Sequence, residues 1–530
     1  MHHINDLLKS NIWCIMINVL EYLENTIKTI TDPNKVAFTS SNDETLSFSE
    51  LSEISRSIGS YLASRNMIKR PIVVFMQKSP QMIAAFFGVV FAGSYYIPLD
   101  SEMPAFRIRL ILDAVKPSLL ICDETTSSVV SDRGFEYPSM LYNEIFDHPI
   151  DETVLQKIRG NVIDTDPLYV VFTSGSTGIP KGVVATHRSV IDYIENLSSV
   201  LNITENTVFG NQSPLYLDAC LKEVYTTLKF GSSVYLIPQS LFMFPVKLIE
   251  YLNEKKINTI CWVASALSLV AGLGALKSLK PETLHTIAFG SEVFPVKHYN
   301  LWRETLPDAR FIHLYGPTEA TGMSCYYETT RTYGPDESIP IGHPFTNTEI
   351  ILIDENNLIP ETGRPGEICI RGSCLSPGYF GDPEKTSNAF VQNPLSAFPD
   401  LIYKTGDLGR RGENGELYYI SRKDHQIKHM GHRIELAEIE WVANACDGIG
   451  LACAVFDNIK SRIILYYVVS RSKEITKTEF RAYLKQNLPR YMLPHNVYKL
   501  DELPQTPGGK IDRVKLLNDY HNIANTDQLT

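Results

Sequence analysis

The chain has 530 residues, 44% hydrophobic and 21% charged; this globular composition excludes wholesale disorder, and the length corresponds to about three to four folding units. Acidic residues number 60 against 49 basic, a formal net charge of −11, and no Lys/Arg-rich run is present, so a nucleic-acid partner is not expected. Nine scattered cysteines contain no Cys-x-x-Cys pair, which argues against a zinc site or a disulfide framework and fits a reducing cytoplasm. The apolar run 12–17 is shorter than the roughly 20 residues a bilayer demands, so no membrane insertion is expected.

In chain order, residues 49–65 predict an amphipathic helix with Leu51, Ile54, Ile58 and Leu62 on one face. Residues 71–76 (PIVVFM) predict a buried strand, 81–92 an apolar helix and 118–122 a further strand. Strand–helix–strand order with continuously apolar strands predicts α/β layers around largely parallel sheets. From about residue 349 the texture changes to short strands separated by Gly- and Pro-rich links, a small β-rich subdomain over about 349–420. After Arg422 a last segment alternates helices and strands, with a boundary expected near 421–424.

Residues 169–182, YVVFTSGSTGIPKG, run a β-branched strand into a loop of Thr173, Ser174, Gly175, Ser176, Thr177 and Gly178, with Pro180 and Lys181 beyond it. Glycines let the backbone approach an anion closely, exposed N–H groups point at it, and hydroxyls add donors: the physics of a phosphate cradle. The spacing is not that of a Walker A loop.

This segment resembles the signature loop of adenylate-forming enzymes, in particular the stand-alone amino-acid adenylation domains of nonribosomal peptide synthesis and the D-alanine–carrier-protein ligases. Eight further motifs agree in order: LSFSEL (46–51), AGSYYIPLD (92–100), YGPTE (315–319), GEICIRG (366–372), YKTGDL (403–408), SRKDHQIKHMGHRIELAEIE (421–440), LPRYMLP (488–494) and GKIDR (509–513). The resemblance implies a large α/β N-terminal adenylation core over 1–422 and a small, mobile α+β C-terminal domain over 423–530, turning about Asp424.

It also implies roles, residue by residue. Tyr315 would stack on adenine, with His313, Gly316 and Pro317 beside it. Glu319 would hold Mg²⁺ near the phosphates of ATP, because a hard cation prefers oxygen ligands. Thr318, Thr173, Ser174, Gly175, Thr177, Gly178 and Lys181 would line the phosphate path. Asp407 would accept the ribose hydroxyls, with Tyr419 and Arg422 near by. Lys510 would be the catalytic lysine, stabilising charge as a carboxylate attacks the α-phosphate. After pyrophosphate leaves, the loop from Lys428 to Gly431 would replace Lys510, and a phosphopantetheine thiol would take the acyl group.

Asp218, in NQSPLYLDACLKEVY (211–225), aligns with the aspartate that pairs with the α-ammonium of an amino-acid substrate, and it also reads as a helix N-cap. Aligned pocket positions are Ala219, Lys222, Trp262, Ile287, Phe289, Leu314, Gly322 and Met323. A pocket lysine among apolar walls calls for an anion, so Lys222 suggests an acidic amino acid, whereas Trp262 and Phe289 would also suit D-alanine. Departures from the family pattern are His313 for Asn, Ser421 and Ala437 for Gly, and Met430 for Arg. No carrier-domain serine motif follows Lys510, so the acceptor is expected to be a carrier protein in trans. The competing readings are an acyl- or aryl-CoA ligase and a non-catalytic nucleotide-binding scaffold.

Overall fold

A computed structural model describes residues 16–32, 34–175, 180–424, 426–470, 475–505 and 511–526. Two sheets organise the first two thirds of the chain. One has nine strands, in the order His343–Pro344, Cys325–Thr329, Arg310–Tyr315, Thr286–Gly290, Thr259–Val263, Val208–Asn211, Ser233–Leu236, Val36–Thr39 and Thr45–Ser47. The other has six: Ser139–Leu141, Leu119–Cys122, Pro71–Phe75, Tyr95–Leu99, Pro167–Thr173 and Lys181–Thr186. Central pairings in both are parallel; antiparallel strands close both edges of the nine-stranded sheet and one edge of the six-stranded sheet, whose other edge strand, Ser139–Leu141, is parallel. Parallel strands must be covered on both faces, which explains why they read as unbroken apolar runs.

Helices fill the space between the sheets. Phe48–Ser64 begins on a capping box in which Ser47 and Glu50 satisfy each other's backbone N–H groups, and its Leu51, Ile58 and Leu62 are fully buried. It crosses Pro80–Phe91, an almost wholly apolar helix capped by Ser79, and both pack with His187–Leu201 and Leu221–Phe230 in one core. Separate cores cover the outer face of each sheet.

Five strands, Thr348–Ile353, Gly366–Gly372, Phe390–Gln392, Leu401–Arg411 and Leu417–Arg422, form a third sheet. Beyond it the chain makes the hairpin Gln426–His429/His432–Glu435, the helix Leu436–Asn444 and a three-stranded sheet packed with Lys477–Asn487. This last unit rests on the first through a buried ion pair between Arg107 and Glu438 and a stack of Phe106 on Trp441 with centroids 5.7 Å apart. No helix among the described residues is long and apolar enough to cross a membrane.

The helix crossing in the main core depends on two glycines. A Cβ on Gly88 would lie 2.5 Å from Cγ2 of Ile58, and one on Gly59 would lie 2.6 Å from Cβ of Phe91. Gly88→Ala is therefore expected to lower the unfolding free energy by about 1–3 kcal/mol through overpacking, read as an earlier denaturant midpoint at unchanged slope.

Candidate active site

Parallel strands present their carboxyl ends on one side of a sheet, where connecting loops leave a crevice. Here the ends of Pro167–Thr173, Thr286–Gly290 and Arg310–Tyr315 open onto one cavity, closed from above by the hairpin 426–435. Thr173, Ser174, Asp218, Ala219, Lys222, Gly316, Pro317, Thr318, Gly322, Met323, Asp407, Arg422, Lys428 and Gly431 all line it. Positions more than 200 residues apart in the chain thus meet at one place. Gly316 has no room for a side chain: a Cβ would sit 2.5 Å from the carbonyl oxygen of Gly322, so the loop after Tyr315 lies flat on its own return strand.

Behind the cavity wall, in contact with Arg433, lies Glu319, fully buried. Lys181 Nζ approaches its Oε1 at 3.0 Å, the Tyr379 hydroxyl donates to the same oxygen at 2.8 Å, and Arg433 Nη1 donates to Oε2 at 2.6 Å. Burial by itself would raise this carboxyl's pKa; the charges of Arg433 and Lys181, with the Tyr379 hydrogen bond, outweigh it and hold the group far below the usual carboxylate range. Ser174 fastens the hairpin from the other side, its Oγ donating to the carbonyl of Arg433 at 2.6 Å and accepting the Glu435 N–H at 3.2 Å.

A second charge cluster lies beside Tyr315. The tyrosine hydroxyl donates to Asp407 Oδ2 at 2.6 Å, and Arg422 Nη1 donates to Oδ1 at 2.7 Å. Arg422 also grips Asp424 through two parallel hydrogen bonds, of 2.6 and 2.7 Å. Lys428 Nζ stands 5.4 Å above the Tyr315 ring, a cation over an aromatic face. Tyr419 packs beside Tyr315 without lining the cavity.

At the far end Asp218 and Lys222 face the cavity from the 3₁₀ turn Asp218–Cys220 and the helix that follows. Asp218 makes no capping hydrogen bond at this turn; the N-cap position belongs to Leu217. Its carboxyl is raised by desolvation and pulled back by the Thr318 hydroxyl and the charge of Lys222. Lys222 is itself buried, and among the described residues its Nζ makes no ion pair or hydrogen bond.

Four of the aligned pocket positions are not at the cavity. Trp262, Ile287 and Phe289 belong to the core on the opposite face of the nine-stranded sheet, where Trp262 Nε1 donates to the carbonyl of Gly210 at 2.8 Å. Strand alternation is the reason: Cys261, Ala288 and Leu314 occupy the inner face, so their neighbours turn away, and Leu314 is packed beneath the pocket wall. His313 is turned outward too, its ring stacked on Phe289 at 4.9 Å. Its Nδ1 donates to the carbonyl of Pro340 at 2.7 Å, and burial lowers its pKa to about 4, so it stays neutral. Thr177, Gly178 and Lys510 lie outside the described residues.

Motif reading missed the partners supplied from afar. Arg433 and Tyr379 on Glu319, Tyr193 and Phe172 in the pocket wall, and Arg107, His432 and Tyr491 in a third arm of the cavity had no local signal. Phe172, His432, Arg433 and Tyr491 stood in stretches already singled out, 169–182, 421–440 and 488–494, but no residue of those stretches pointed to their partners. His432 and Tyr491 stack face to face at 3.6 Å, and desolvation takes His432 down to about 3.

Behind Lys222 sits Glu223, fully buried, with neither carboxylate oxygen in a well-formed hydrogen bond. Burial pushes its pKa from 4.5 up to about 7, against the charges of Lys222 and Lys78. The folded state therefore binds more protons than the unfolded one between these values, and stability present at low pH is lost as pH rises through 7. Glu223→Gln is expected to be nearly neutral at pH 5 and to stabilise the protein by up to about 3 kcal/mol at pH 8.5, checked by denaturant unfolding at both pH values.

The profile of the AMP-binding enzyme family matches residues 29–380, and that of the AMP-binding enzyme C-terminal domain matches 438–510. Tyrocidine synthase 1 of Brevibacillus parabrevis is 31% identical over 502 residues, 94% of this chain and 44% of its own length. Gramicidin S synthase 1 of Brevibacillus brevis is 32% identical over 491 residues, 91% of this chain and 43% of its own. The chain thus spans less than half the length of these curated relatives. Among solved structures, IdnL1 aligns over 92% of this chain and 99% of its own with a TM-score of 0.77 and 26% identity. A four-domain nonribosomal peptide synthetase bound to AMP and glycine aligns over 94% of this chain and 36% of its own, with a TM-score of 0.67 and 26% identity. With a family profile covering more than half of its length, the chain belongs to the AMP-binding enzyme family, as an adenylation domain of the adenylate-forming superfamily.

Proposed function

We propose that this protein uses ATP to convert an α-amino acid into its aminoacyl adenylate and then passes the aminoacyl group to the phosphopantetheine thiol of a carrier protein. The observation that carries the reading is the meeting, in one cavity, of Asp218 with the Asp407–Arg422 pair and with Arg433, which ties the cavity wall to the buried Glu319–Lys181 pair. Asp218 would hold the substrate ammonium, and the cations would hold the phosphates. A substrate carboxylate oxygen then bonds to the α-phosphorus as the bond to the β-phosphate oxygen breaks and pyrophosphate leaves. Positioning and charge stabilisation supply most of the rate enhancement. Lys510 is assigned the stabilisation of that step, in keeping with its motif.

A divalent cation fits this site through one protein ligand. Glu319 is a deprotonated hard-oxygen donor, and among the described residues no cluster of three His, Cys, Asp or Glu side chains could cage an ion without help. Mg²⁺ bound by one carboxylate and the substrate's own phosphates matches such a site, and when bound it would neutralise phosphate charge. The thiol step uses the second arrangement of the C-terminal unit, with Lys428 and Gly431 at the cavity; we assign the hinge to Asp424, whose ion pair with Arg422 spans the junction of 1–422 and 423–530. Among the described residues eight cysteines are buried and free, which suits a reducing cytoplasm.

For the substrate side chain, the unpaired Lys222 supports an acidic amino acid. Pyrophosphate release from MgATP, screened across L- and D-amino acids and a set of aryl and fatty acids, tests both levels. Turnover with glutamate or aspartate is expected, with Asp218→Ala and Lys222→Met each lowering kcat/KM by roughly 10²–10³-fold through loss of a buried charge pair. Turnover only with D-alanine would overturn the acidic pocket and leave amino-acid activation standing. Turnover only with acids lacking an α-amine, or transfer to free coenzyme A in place of a carrier, would favour an acyl-CoA ligase. No turnover with any acid would favour a nucleotide-binding scaffold.

A further inference from the structure

Resting on the reading of Asp218 as the seat of the substrate ammonium, we propose that Lys78, which does not line the cavity, is a positioning residue for the amino-acid pocket: its ammonium fixes the chain where the loop to Asp218 leaves its strand. Lys78 stands between the strand Pro71–Phe75 and the helix Pro80–Phe91, 133 positions before Asn211. Its Nζ donates to the carbonyl of Asn211 at 3.2 Å and reaches that of Gln212 at 3.5 Å. Asn211 ends the strand Val208–Asn211, and residues 212–217 carry the chain on to the turn Asp218–Cys220.

Little else holds the backbone at that point. Among the described residues no other group donates to the Gln212 carbonyl, and Asn211 shares its own with the Ile237 N–H at 3.1 Å. The side chains add nothing, since both amide atoms of Asn211 and Oε1 of Gln212 are buried without a partner. From here the segment reaches the cavity through Leu217, Asp218, Ala219 and Lys222. A shift at the strand end is therefore passed to the carboxylate that receives the ammonium, and a misplacement of about 1 Å costs on the order of 10²-fold in rate.

A desolvated cation needs an anion near by, and Glu223 supplies that charge from the helix Leu221–Phe230. Cys220 also faces Lys78, with its thiol kept protonated by burial, and Asn211 and Gln212 are neutral. Lys222 adjoins Glu223 on the same helix, and Asp218 opens the turn that holds Cys220. Desolvation takes Lys78 from 10.5 down to about 8, and the Glu223 charge pulls it back up. The support is thus fully charged well below pH 8 and weakens as pH rises through that value.

Pyrophosphate release by the full chain, driven by an amino acid that the wild type turns over, separates this role from one in folding alone. Lys78→Met is expected to raise KM for the amino acid by about tenfold or more while KM for ATP stays within about threefold of wild type. Lys78→Arg, which keeps the charge and the donors, should recover most of the loss. In the wild type KM for the amino acid should climb as pH rises through about 8. That climb should be absent in Lys78→Arg and should begin at lower pH in Glu223→Gln, which withdraws the anion. Where Lys78→Met does not fold, the pH series of the wild type, Lys78→Arg and Glu223→Gln carries the test. Equal rises in the two KM values, or a pH profile left unchanged by both Lys78→Arg and Glu223→Gln, would overturn the proposal while amino-acid activation stands. No pyrophosphate release with any amino acid would remove that reading, and the role of Lys78 with it.

Discussion

A carboxylate sealed from water must be answered by nearby positive charge, and the site is arranged around Glu319's answer. Lys181 comes from the strand after the Ser/Thr/Gly loop, Tyr379 from the β-rich unit, and Arg433 from the hairpin beyond Asp424. Three separate parts of the fold are therefore tied to one oxygen pair. Burial alone would push the proton on, and the charges of Arg433 and Lys181 with the Tyr379 hydrogen bond reverse that tendency. The same geometry makes the carboxylate a strong oxygen donor toward whichever cation reaches it.

The cavity has a second charge balance at its other end, and the two differ in kind. Asp407 and Arg422 are paired and also tied to Tyr315 and Asp424, a closed network with no donor left over. Asp218, Lys222 and Glu223 are adjacent, buried or partly buried, and not joined by short ion pairs, so their charges remain available. A closed network positions a ligand's surroundings, whereas an open set of charges selects the ligand.

Seating of the C-terminal unit has a similar mixture. Arg107–Glu438 and Phe106–Trp441 join it to the helix Ala105–Val115, while Gly431 N–H donates to Glu292 at 2.8 Å at the cavity rim. These contacts are an ion pair, an aromatic stack and a hydrogen bond. Among the described residues the cores on either side share no buried apolar cluster.

How much of this could be read from residues alone follows from the range of the forces involved. Local signals were legible: the helix expected at 49–65 is Phe48–Ser64, the strand at 71–76 is Pro71–Phe75, and the phosphate-suited loop follows the strand that ends at Thr173. Motif spacing also marked Asp218, Lys222, Asp407 and Lys428, which meet at one cavity, and Glu319, which is buried beside it in contact with Arg433 of its wall. Which face of a strand a residue occupies was not legible, because a period of two is set by the neighbouring strand's register; so Trp262, Ile287 and Phe289 could be aligned and still point into another core. Nor could any local pattern pair Arg433 with Glu319 across 114 positions, or Arg107 with Glu438 across 331. The sequence by itself determined the elements, the loop chemistry and the order of motifs, all properties of a few consecutive residues; the tertiary structure alone decided which charges answer one another, because those partners are brought together only by the packing of distant elements.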